Sequence, residues 1–228
     1  MTSQQKRRGR PKIHDDGEIL DSALRVFATH GYEGMSMRSL NGELGLSHGT
    51  INQRFGTKEQ LYIEAVDHGF TQLLRDLTDI VGKDEIPDDP LEELRIRFRA
   101  FLLASARRPH LNRVINNEGV ASSKILDHIF DRYIYPAMRP TRRLLDRLES
   151  EGLIVHQTDR AILFMLANGA GSLTSLPALS KKFDRIDGPA DPKKYADSMA
   201  SLLVNGMRKP PKPAKRQTAK RPSSSRKT

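Results

Sequence analysis

Two short stretches near the start of the chain carry residue types that suit contacts with nucleic acid. Residues 6–12 read KRRGRPK, with five basic side chains and no acid, while a glycine and a proline disfavour a helix. Residues 47–55 read SHGTINQRF, in which the Asn and Gln side chains can each form a bidentate pair with adenine. The side chains of these two stretches could recognise phosphates and base edges.

A third stretch raises the question of catalysis. The residues GLSHG at 45–49 fit the pattern G-x-S-x-G, in which a hydrolase presents its nucleophilic serine, here Ser47. That turn needs a buried strand before it and a parallel sheet around it, but no segment alternates with the two-residue period of a strand. We therefore interpret Ser47 as a helix cap after a turn, and we expect no enzymatic activity.

The sequence lacks the residues that a metal site or a membrane-spanning helix would need. The chain has no cysteine, which fits a reducing compartment such as the cytoplasm, and its seven histidines include no pair four residues apart. The most apolar segment, residues 161–176, is too short and too polar to span a bilayer. We expect a soluble cytoplasmic protein with no metal, no cofactor and no membrane partner.

The net charge of +10 is distributed unevenly along the chain. Residues 1–13 hold five Lys or Arg and residues 208–228 hold nine, with no acid in either segment, so residues 14–207 carry a net charge of −4. A mildly acidic body with basic ends indicates arms that contact a polyanion. DNA is favoured over a membrane because no apolar anchor accompanies the charges.

The apolar periodicity is helical nearly throughout, which predicts an all-α fold. A first helix begins at Asp15 or Asp16 and ends at Gly31, and two short helices follow on either side of a turn at Gly45. Short helices joined in this way form a helix-turn-helix, in which one helix lies in the major groove of DNA.

The third predicted helix has an inward and an outward side. Ile51 and Phe55, four residues apart, fix the inward side against the core. The outward side then carries Gly49, Thr50, Asn52 and Gln53. Thr57 and Gln60 form a capping box at the start of a longer fourth helix.

The stretch HGYEGMSMRSLNGELGLSHGTINQRFGTKEQLY closely resembles the N-terminal domain of TetR-type bacterial transcription regulators. The shared elements include Gly31-Tyr32, Gly45-Leu46-Ser47 and Phe55. The resemblance implies a guanine contact at or near the groove for Arg38 and a phosphate contact for Lys58. With the outward residues, the candidate DNA contacts of this domain are Arg38, Ser47, His48, Gly49, Thr50, Asn52, Gln53, Arg54 and Lys58.

Three positions depart from the pattern of that family. Asn52 stands where a phosphate-binding Tyr is usual, Arg54 where His or Tyr is usual, and Asn41 where a small residue, commonly Ala, is usual. Arg54 could replace the lost phosphate contact through its charge, while Asn52 could read a base. The operator sequence is therefore not transferable from a relative.

The basic N-terminal stretch also resembles a known DNA-binding element. Gly-Arg-Pro at 9–11, flanked by basic residues, resembles the core of an AT-hook, which fits the narrow minor groove of A·T-rich DNA. Arg8 and Arg10 would then lie along the groove floor. The alternative is a solvated charge run that raises affinity regardless of sequence, and for the C-terminal tail both interpretations stay open.

For the second half, the resemblance implies a dimer through the last two helices and a ligand pocket among the middle helices. Helices are predicted at about 90–107, 110–118, 122–149, 158–176 and 192–207, with a loop at 177–191. The candidate interface residues are Leu163, Leu166, Ala167, Ala170 and Gly171 in one helix and Tyr195, Met199, Leu202 and Gly206 in the other. No residue identifies the ligand.

The predicted organisation has four parts. They are a disordered AT-hook-like arm (1–13), a helix-turn-helix domain (14–65), a larger helical regulatory and dimerisation domain (66–207) and a disordered Lys/Pro-rich tail (208–228). The predicted function is sequence-specific transcriptional regulation by a homodimer on a palindromic double-stranded operator, as a repressor that a small molecule releases. The alternative is an architectural DNA-binding protein of the same fold without an inducer.

Overall fold

A computed structural model describes residues 14–82, 87–120 and 122–210. This part of the chain is built from helices, and its one β-type contact is an isolated bridge between Ile154 and Arg208, which confirms the all-α prediction. In chain order the α-helices are α1 (Asp16–Gly34), α2 (Met37–Glu43), α3 (Thr50–Phe55), α4 (Lys58–Val81), α5 (Pro90–Ala106), α6 (Pro109–Glu118), α7 (Lys124–Ile129), α8 (Tyr135–Ser150), α9 (Asp159–Phe164), α10 (Ser172–Ser175), α11 (Pro177–Ser180), α12 (Asp184–Asp187) and α13 (Pro192–Met207).

Helices α1 and α4 begin at the polar caps that the sequence indicates. The Asp15 carboxylate accepts from the Glu18 N–H at 2.7 Å, and Thr57 and Gln60 form the predicted capping box. Gly31, with φ of 71° and ψ of 176°, interrupts the regular helix where the sequence predicts its end, and a short helical turn follows as far as Gly34.

The third helix is shorter than predicted. It begins at Thr50, with Gly49 as its N-cap, and has six residues, so the prediction of a helix over 47–55 is wrong at its start. Ser47 is correspondingly not the cap: its hydroxyl lies 2.7 Å from the Thr50 hydroxyl, and its carbonyl accepts from the Thr50 N–H at 3.1 Å. Residues 47–49 instead form a turn that Gly49 closes.

Two π-helical stretches interrupt the long helices of the second half. Phe130–Ile134 joins α7 to α8, and Met165–Ala170 continues α9. The predicted helix over 122–149 is therefore nearly continuous, although it contains Pro136 and Pro140, and a proline inside a helix usually kinks or splits it. A π-helical turn directly before Pro136 accommodates a residue that has no N–H for the usual ladder.

The segment predicted as a loop at 177–191 is largely helical. Helix α11, a 3₁₀ turn (Lys181–Phe183) and α12 follow one another without a break until Gly188, where φ is 78°. The sequence from 178 to 187 contains neither Gly nor Pro, and Leu179, Phe183 and Ile186 recur at helical spacing. That periodicity is the sequence signal that indicates a helical segment here.

The buried residues form two apolar clusters that meet on α5. One cluster holds α1–α4 together with parts of α6 and α7, and it includes Ala100 and Ala104 of α5. The other joins α5, through Leu94 and Phe98, to α8, α9 and α13. Helix α4 runs through the predicted domain boundary at 65/66, so it carries the N-terminal domain into the second half.

The end of α13 is held by backbone pairing. The Val155 N–H donates to the Met207 carbonyl at 2.8 Å, and the Lys209 N–H donates to the Leu153 carbonyl at 3.0 Å. The first residues of the predicted disordered tail are thus paired, and 211–228 lie outside the described residues. Nowhere in the described part is a helix both long and apolar enough to cross a membrane.

Candidate nucleic-acid interface

Helix α3 has a buried side and an exposed side. Ile51 and Phe55 are buried in the first apolar cluster. Asn52, Gln53 and Arg54 are exposed on the same helix, which leaves a short rod with polar groups directed to solvent. This is the division that major-groove recognition requires.

The predicted contacts outside α3 lie around its N-terminus and on α2. Ser47 and His48 are exposed in the turn, whereas Gly49 and Thr50 are half-buried. Arg38 is exposed on the first turn of α2 and has no hydrogen-bond or ion-pair partner within the described residues. Gly49 has φ of 84°, a left-handed conformation that other residues rarely adopt, so it is needed for the turn.

Asn41 supplies the cap that Gly49 cannot provide. Its Oδ1 accepts from the Ile51 N–H at 3.2 Å, its Nδ2 donates to the Met37 carbonyl at 2.9 Å, and its own carbonyl accepts from the Leu46 N–H at 2.9 Å. The residue is 3% exposed. Asn41 therefore joins α2, the turn and α3; the family pattern marks the position as unusual but does not indicate this role.

Arg54 is already engaged within the domain. Its guanidinium donates to the His14 carbonyl at 2.8 Å and to the Asp16 carboxylate, and it lies beside the Phe55 ring. The expectation that Arg54 offers its charge to a phosphate therefore needs correction, because the guanidinium holds α3 against the start of α1. The sequence could not reveal a pairing between residues about forty positions apart.

His14 fixes the point from which the N-terminal arm departs. Its Nδ1 lies 2.9 Å from the Glu18 carboxylate, and its Nε2 lies 3.0 Å from the Leu44 carbonyl at the end of α2. The sequence pattern gave no signal for this contact. Arg8 and Arg10 lie outside the described residues, so the AT-hook interpretation stays a prediction.

Lys58 occupies the first position of α4 and is oriented by α1. Its Nζ lies 4.5 Å from the centre of the Tyr32 ring and donates to the Glu33 carbonyl at 3.3 Å. Burial, with the nearby Glu59 and Glu33 carboxylates, raises the pKa of Tyr32. The ammonium group keeps further protons with which it can donate to a phosphate at the positive end of α4.

The residues around Ser47 do not form a hydrolase elbow. The element before the turn is helix α2, and the described part of the chain contains no sheet that could present a serine. The Ser47 hydroxyl contacts the Thr50 hydroxyl, and no histidine hydrogen-bonds to it. Its exposure suits contact with DNA.

The predicted dimer residues are divided between the core and the surface. Leu166, Ala170 and Gly171 are buried within the chain itself, and Leu163, Ala167, Tyr195 and Met199 are half-buried. Leu202 is 63% exposed and Gly206 is also exposed. Phe164 and Met165, which the helical spacing did not select, are exposed at the junction of α9 and the π-helical stretch.

The comparison with known sequences agrees with the geometry of the first domain. The sequence profile of the bacterial regulatory proteins of the tetR family matches residues 19–65. The HTH-type transcriptional repressor AcnR of Corynebacterium efficiens is 44% identical over 55 residues, which are 24% of this chain and 29% of that protein. The repressor ComR of Escherichia coli is 39% identical over 62 residues, or 27% and 30% of the two chains. The chain thus matches under a third of the length of these relatives.

Solved structures share the fold over most of the chain. The ketosteroid transcriptional regulator KstR2 of Mycobacterium tuberculosis superposes with a TM-score of 0.62 at 20% identity, over 89% of this chain and all of that one. AibR, in complex with isovaleryl coenzyme A and operator DNA, superposes with a TM-score of 0.61 at 19% identity, over 82% and 96%. Residues 19–65 thus match the tetR family of bacterial regulatory proteins, and the chain as a whole shares the fold of these solved structures.

Proposed function

We propose that the chain is a sequence-specific DNA-binding transcriptional regulator, a repressor that acts as a homodimer in the bacterial cytoplasm. The observation that carries this proposal is the division of α3, which buries Ile51 and Phe55 and exposes a polar row beside them. The names of AcnR and ComR as transcriptional repressors support repression. The activity is binding, with no catalytic step.

The residues on this surface take different roles in DNA recognition. Gln53 and His48 face the base edges, and the Thr50 methyl group can contact a thymine methyl. Arg38 reaches a guanine or the groove edge, while Lys58 binds a backbone phosphate. Arg54 acts indirectly, because its bonds to His14 and Asp16 hold α3 in place.

Two copies of α3 are needed for useful specificity, since one short helix reads few bases. The exposed apolar residues Phe164, Met165 and Leu202 support an interface through the last long helices. Leu163, Ala167, Tyr195, Met199 and Gly206 would contribute at its margin. The arm with Arg8 and Arg10 is proposed to extend each half-site into the minor groove.

Ligand release requires a route from the second half to α3, and α4 offers one. The Tyr62 hydroxyl donates to the Glu118 carboxylate of α6 at 2.7 Å, and burial with this hydrogen bond raises the pKa of Tyr62. Asp67 of α4 lies 2.6 Å from His128 of α7. A ligand that prefers one arrangement of α6 and α7 would thereby shift the position of α4 and the spacing of the two α3 helices.

Selection of bound sequences from random duplex DNA tests the proposal. The full-length chain should select a two-fold symmetric motif with fixed half-site spacing, and Gln53→Ala should relax the preference at one position of each half-site. Deletion of residues 1–13 should remove an A·T preference beside the half-sites. Sequence-independent coating with a steep dependence on salt would contradict regulation and favour the architectural alternative.

A further inference from the structure

A cleft lies between α6 and the elements that follow α9. Its volume is about 320 Å³. Arg113 and Asn116 of α6 form one wall, and Asn168, Ser172, Ser175 and Leu176 form the other with the end of the π-helical stretch. The lining is rich in hydrogen-bonding groups and contains one cation and no carboxylate.

Arg113 is not neutralised by its surroundings. It has no hydrogen bond or ion pair with any residue in ranges 14–82, 87–120 and 122–210, whereas Arg95, Arg97 and Arg142 each pair with a carboxylate. Its guanidinium is exposed to solvent at the cleft, and none of the other lining residues carries a charge. The mouth of the cleft is therefore positive, and a guanidinium is suited to a planar anion.

The opposite wall holds a polar group that has no partner. The Ser175 Oγ is buried and makes no hydrogen bond within the described residues, which is costly for a hydroxyl. The Asn116 and Asn168 amides are exposed to solvent and make no side-chain hydrogen bond to another described residue, so they are open to a ligand. A ligand that supplies acceptors or donors here would replace water at the two amides and could give the Ser175 hydroxyl a partner.

The backbone of this wall is also unusual. The Gly171 N–H donates to the Leu166 carbonyl at 2.8 Å, five residues back, and a Cβ atom at Gly171 would lie 2.5 Å from the Ala167 carbonyl oxygen. Only glycine allows this closure. Single π-helical turns of this kind are frequent at functional sites.

We propose that this cleft binds a small organic carboxylate, whose two oxygens pair with the Arg113 guanidinium while the Asn and Ser groups hold its polar remainder. The volume lies at the lower end for ligand pockets and limits the ligand to a small metabolite. This inference rests on the proposed function in one respect only, which is that the carboxylate acts as the effector of DNA binding.

The position of the cleft connects it to the DNA-binding domain. Helix α6 packs against α1 and α4, and Leu111 of α6 and Leu24 of α1 both approach Gly69 of α4 so closely that a Cβ atom there would lie 3.2 and 2.8 Å from them. Helix α6 therefore cannot move without displacing its two neighbours. A carboxylate that draws α6 toward Ser175 would move the support of α3.

Thermal unfolding of the full-length chain, without DNA, tests the site with sodium acetate, sodium succinate and inorganic phosphate at matched ionic strength. At least one carboxylate should raise the unfolding midpoint by a few degrees and saturate, because a ligand of the folded state stabilises it by mass action. Arg113→Gln should abolish the shift, and Ser175→Ala should weaken binding several-fold. Arg160→Gln, which removes an exposed arginine of α9, is the charge-matched control and should leave the shift unchanged.

Three results would overturn the assignment: no saturable shift with either carboxylate, a response to phosphate alone, or an equal response in Arg113→Gln and Arg160→Gln.

The effector role has its own test. The carboxylate that binds should weaken binding of a selected duplex at least several-fold in the wild type and not in Arg113→Gln. Saturable binding with unchanged DNA affinity would overturn the effector role, whereas failure to select any duplex would overturn the proposed function and leave the carboxylate assignment standing.

Discussion

The N-terminal and C-terminal halves of the chain leave different kinds of side chain exposed to solvent. In the described ranges 14–82 and 87–119 no large apolar side chain is exposed, whereas twelve are exposed from residue 120 onward. These are Val120, Phe130, Tyr135, Leu153, Val155, Phe164, Met165, Leu176, Leu179, Phe183, Ile186 and Leu202.

This difference fits the two partners of the proposed function, which are DNA for the first half and a second subunit for the other. A helix that enters a DNA groove must remain hydrated and offer hydrogen bonds, so its apolar residues belong inside. A surface that associates with another protein gains most from apolar area that water leaves. Exposed polarity on α3 and exposed apolar side chains on α9 and α13 therefore both fit the proposed dimeric regulator.

The largest effect is expected where the apolar surface is made charged. The double change Phe164→Glu and Leu202→Glu buries two carboxylates in the proposed interface, so we expect dimer association to weaken by more than about 100-fold, or about 3 kcal/mol. Sedimentation equilibrium measures the change. Val120→Glu is the control, since Val120 is 87% exposed just after the end of α6 and is not among the proposed interface residues. A dimer that tolerates the double change but not the control would relocate the interface.

The next largest effect is expected in DNA binding by the exposed polar side of α3. Gln53→Ala removes a side chain that faces solvent from α3 and supports no fold contact, so stability should be unchanged. Loss of one bidentate base contact should lower specific binding by about 1–3 kcal/mol per half-site while non-specific binding stays the same. Competition between selected and random duplexes measures this ratio, with Gln72→Ala on α4 as the matched control. Equal losses for both duplexes would show that Gln53 does not read bases.

The sequence predicted the first half well because local rules govern it. Caps at Asp15 and Thr57 and the turn at Gly45 are chemical signals within a few residues, and the Ile51 and Phe55 spacing correctly fixes the buried side of α3. What it missed depends on distant partners. The Arg54 bond to the His14 carbonyl joins residues far apart in the chain, and no periodicity encodes it.

The second half was harder to predict because periodicity alone does not say whether an apolar stripe packs in the chain's own core or faces outward. The predicted interface stripe includes Leu166 and Ala170, but both are buried in the second apolar cluster, whereas Phe164 and Met165 are exposed. The prediction of a loop at 177–191 hides the exposed stripe over α11 and α12. For the longer helices of this half the sequence predicts that a helix exists but not which of its faces is exposed.

A smaller effect would test how α3 is held. Asn41→Ala leaves the Ile51 N–H buried without its acceptor, so we expect a loss of about 1–3 kcal/mol in unfolding free energy and faster amide exchange at Ile51. Urea unfolding followed by circular dichroism and hydrogen exchange measure the two. Asn117→Ala on the exposed side of α6 is the control. Exchange at Ile51 that stays slow in Asn41→Ala would mean that another group caps α3.

The smallest expected effect is a loss of stability at low pH, which should begin in the second half of the chain. Burial would raise the pKa of Glu149, but hydrogen bonds from His156, Arg142 and the Gln157 N–H outweigh it and lower the pKa to about 2. Because the folded pKa is depressed, this stabilisation is complete above the unfolded value near 4.5 and is lost as the pH falls from there toward 2.

The acid sensitivity should therefore begin in the half that exposes apolar residues, where Glu149 ties α8 to the segment before α9. We expect a loss of about 1–2 kcal/mol in unfolding free energy between pH 5 and pH 3, since solvent screens this partly exposed network. Glu149→Gln should reduce stability at pH 7 and flatten its dependence on pH, whereas Glu64→Gln, at an exposed position of α4, should do neither. Urea unfolding at each pH measures both variants. If Glu149→Gln kept the wild-type slope, the acid sensitivity would belong to other carboxylates, and the pH contrast between the halves would fail.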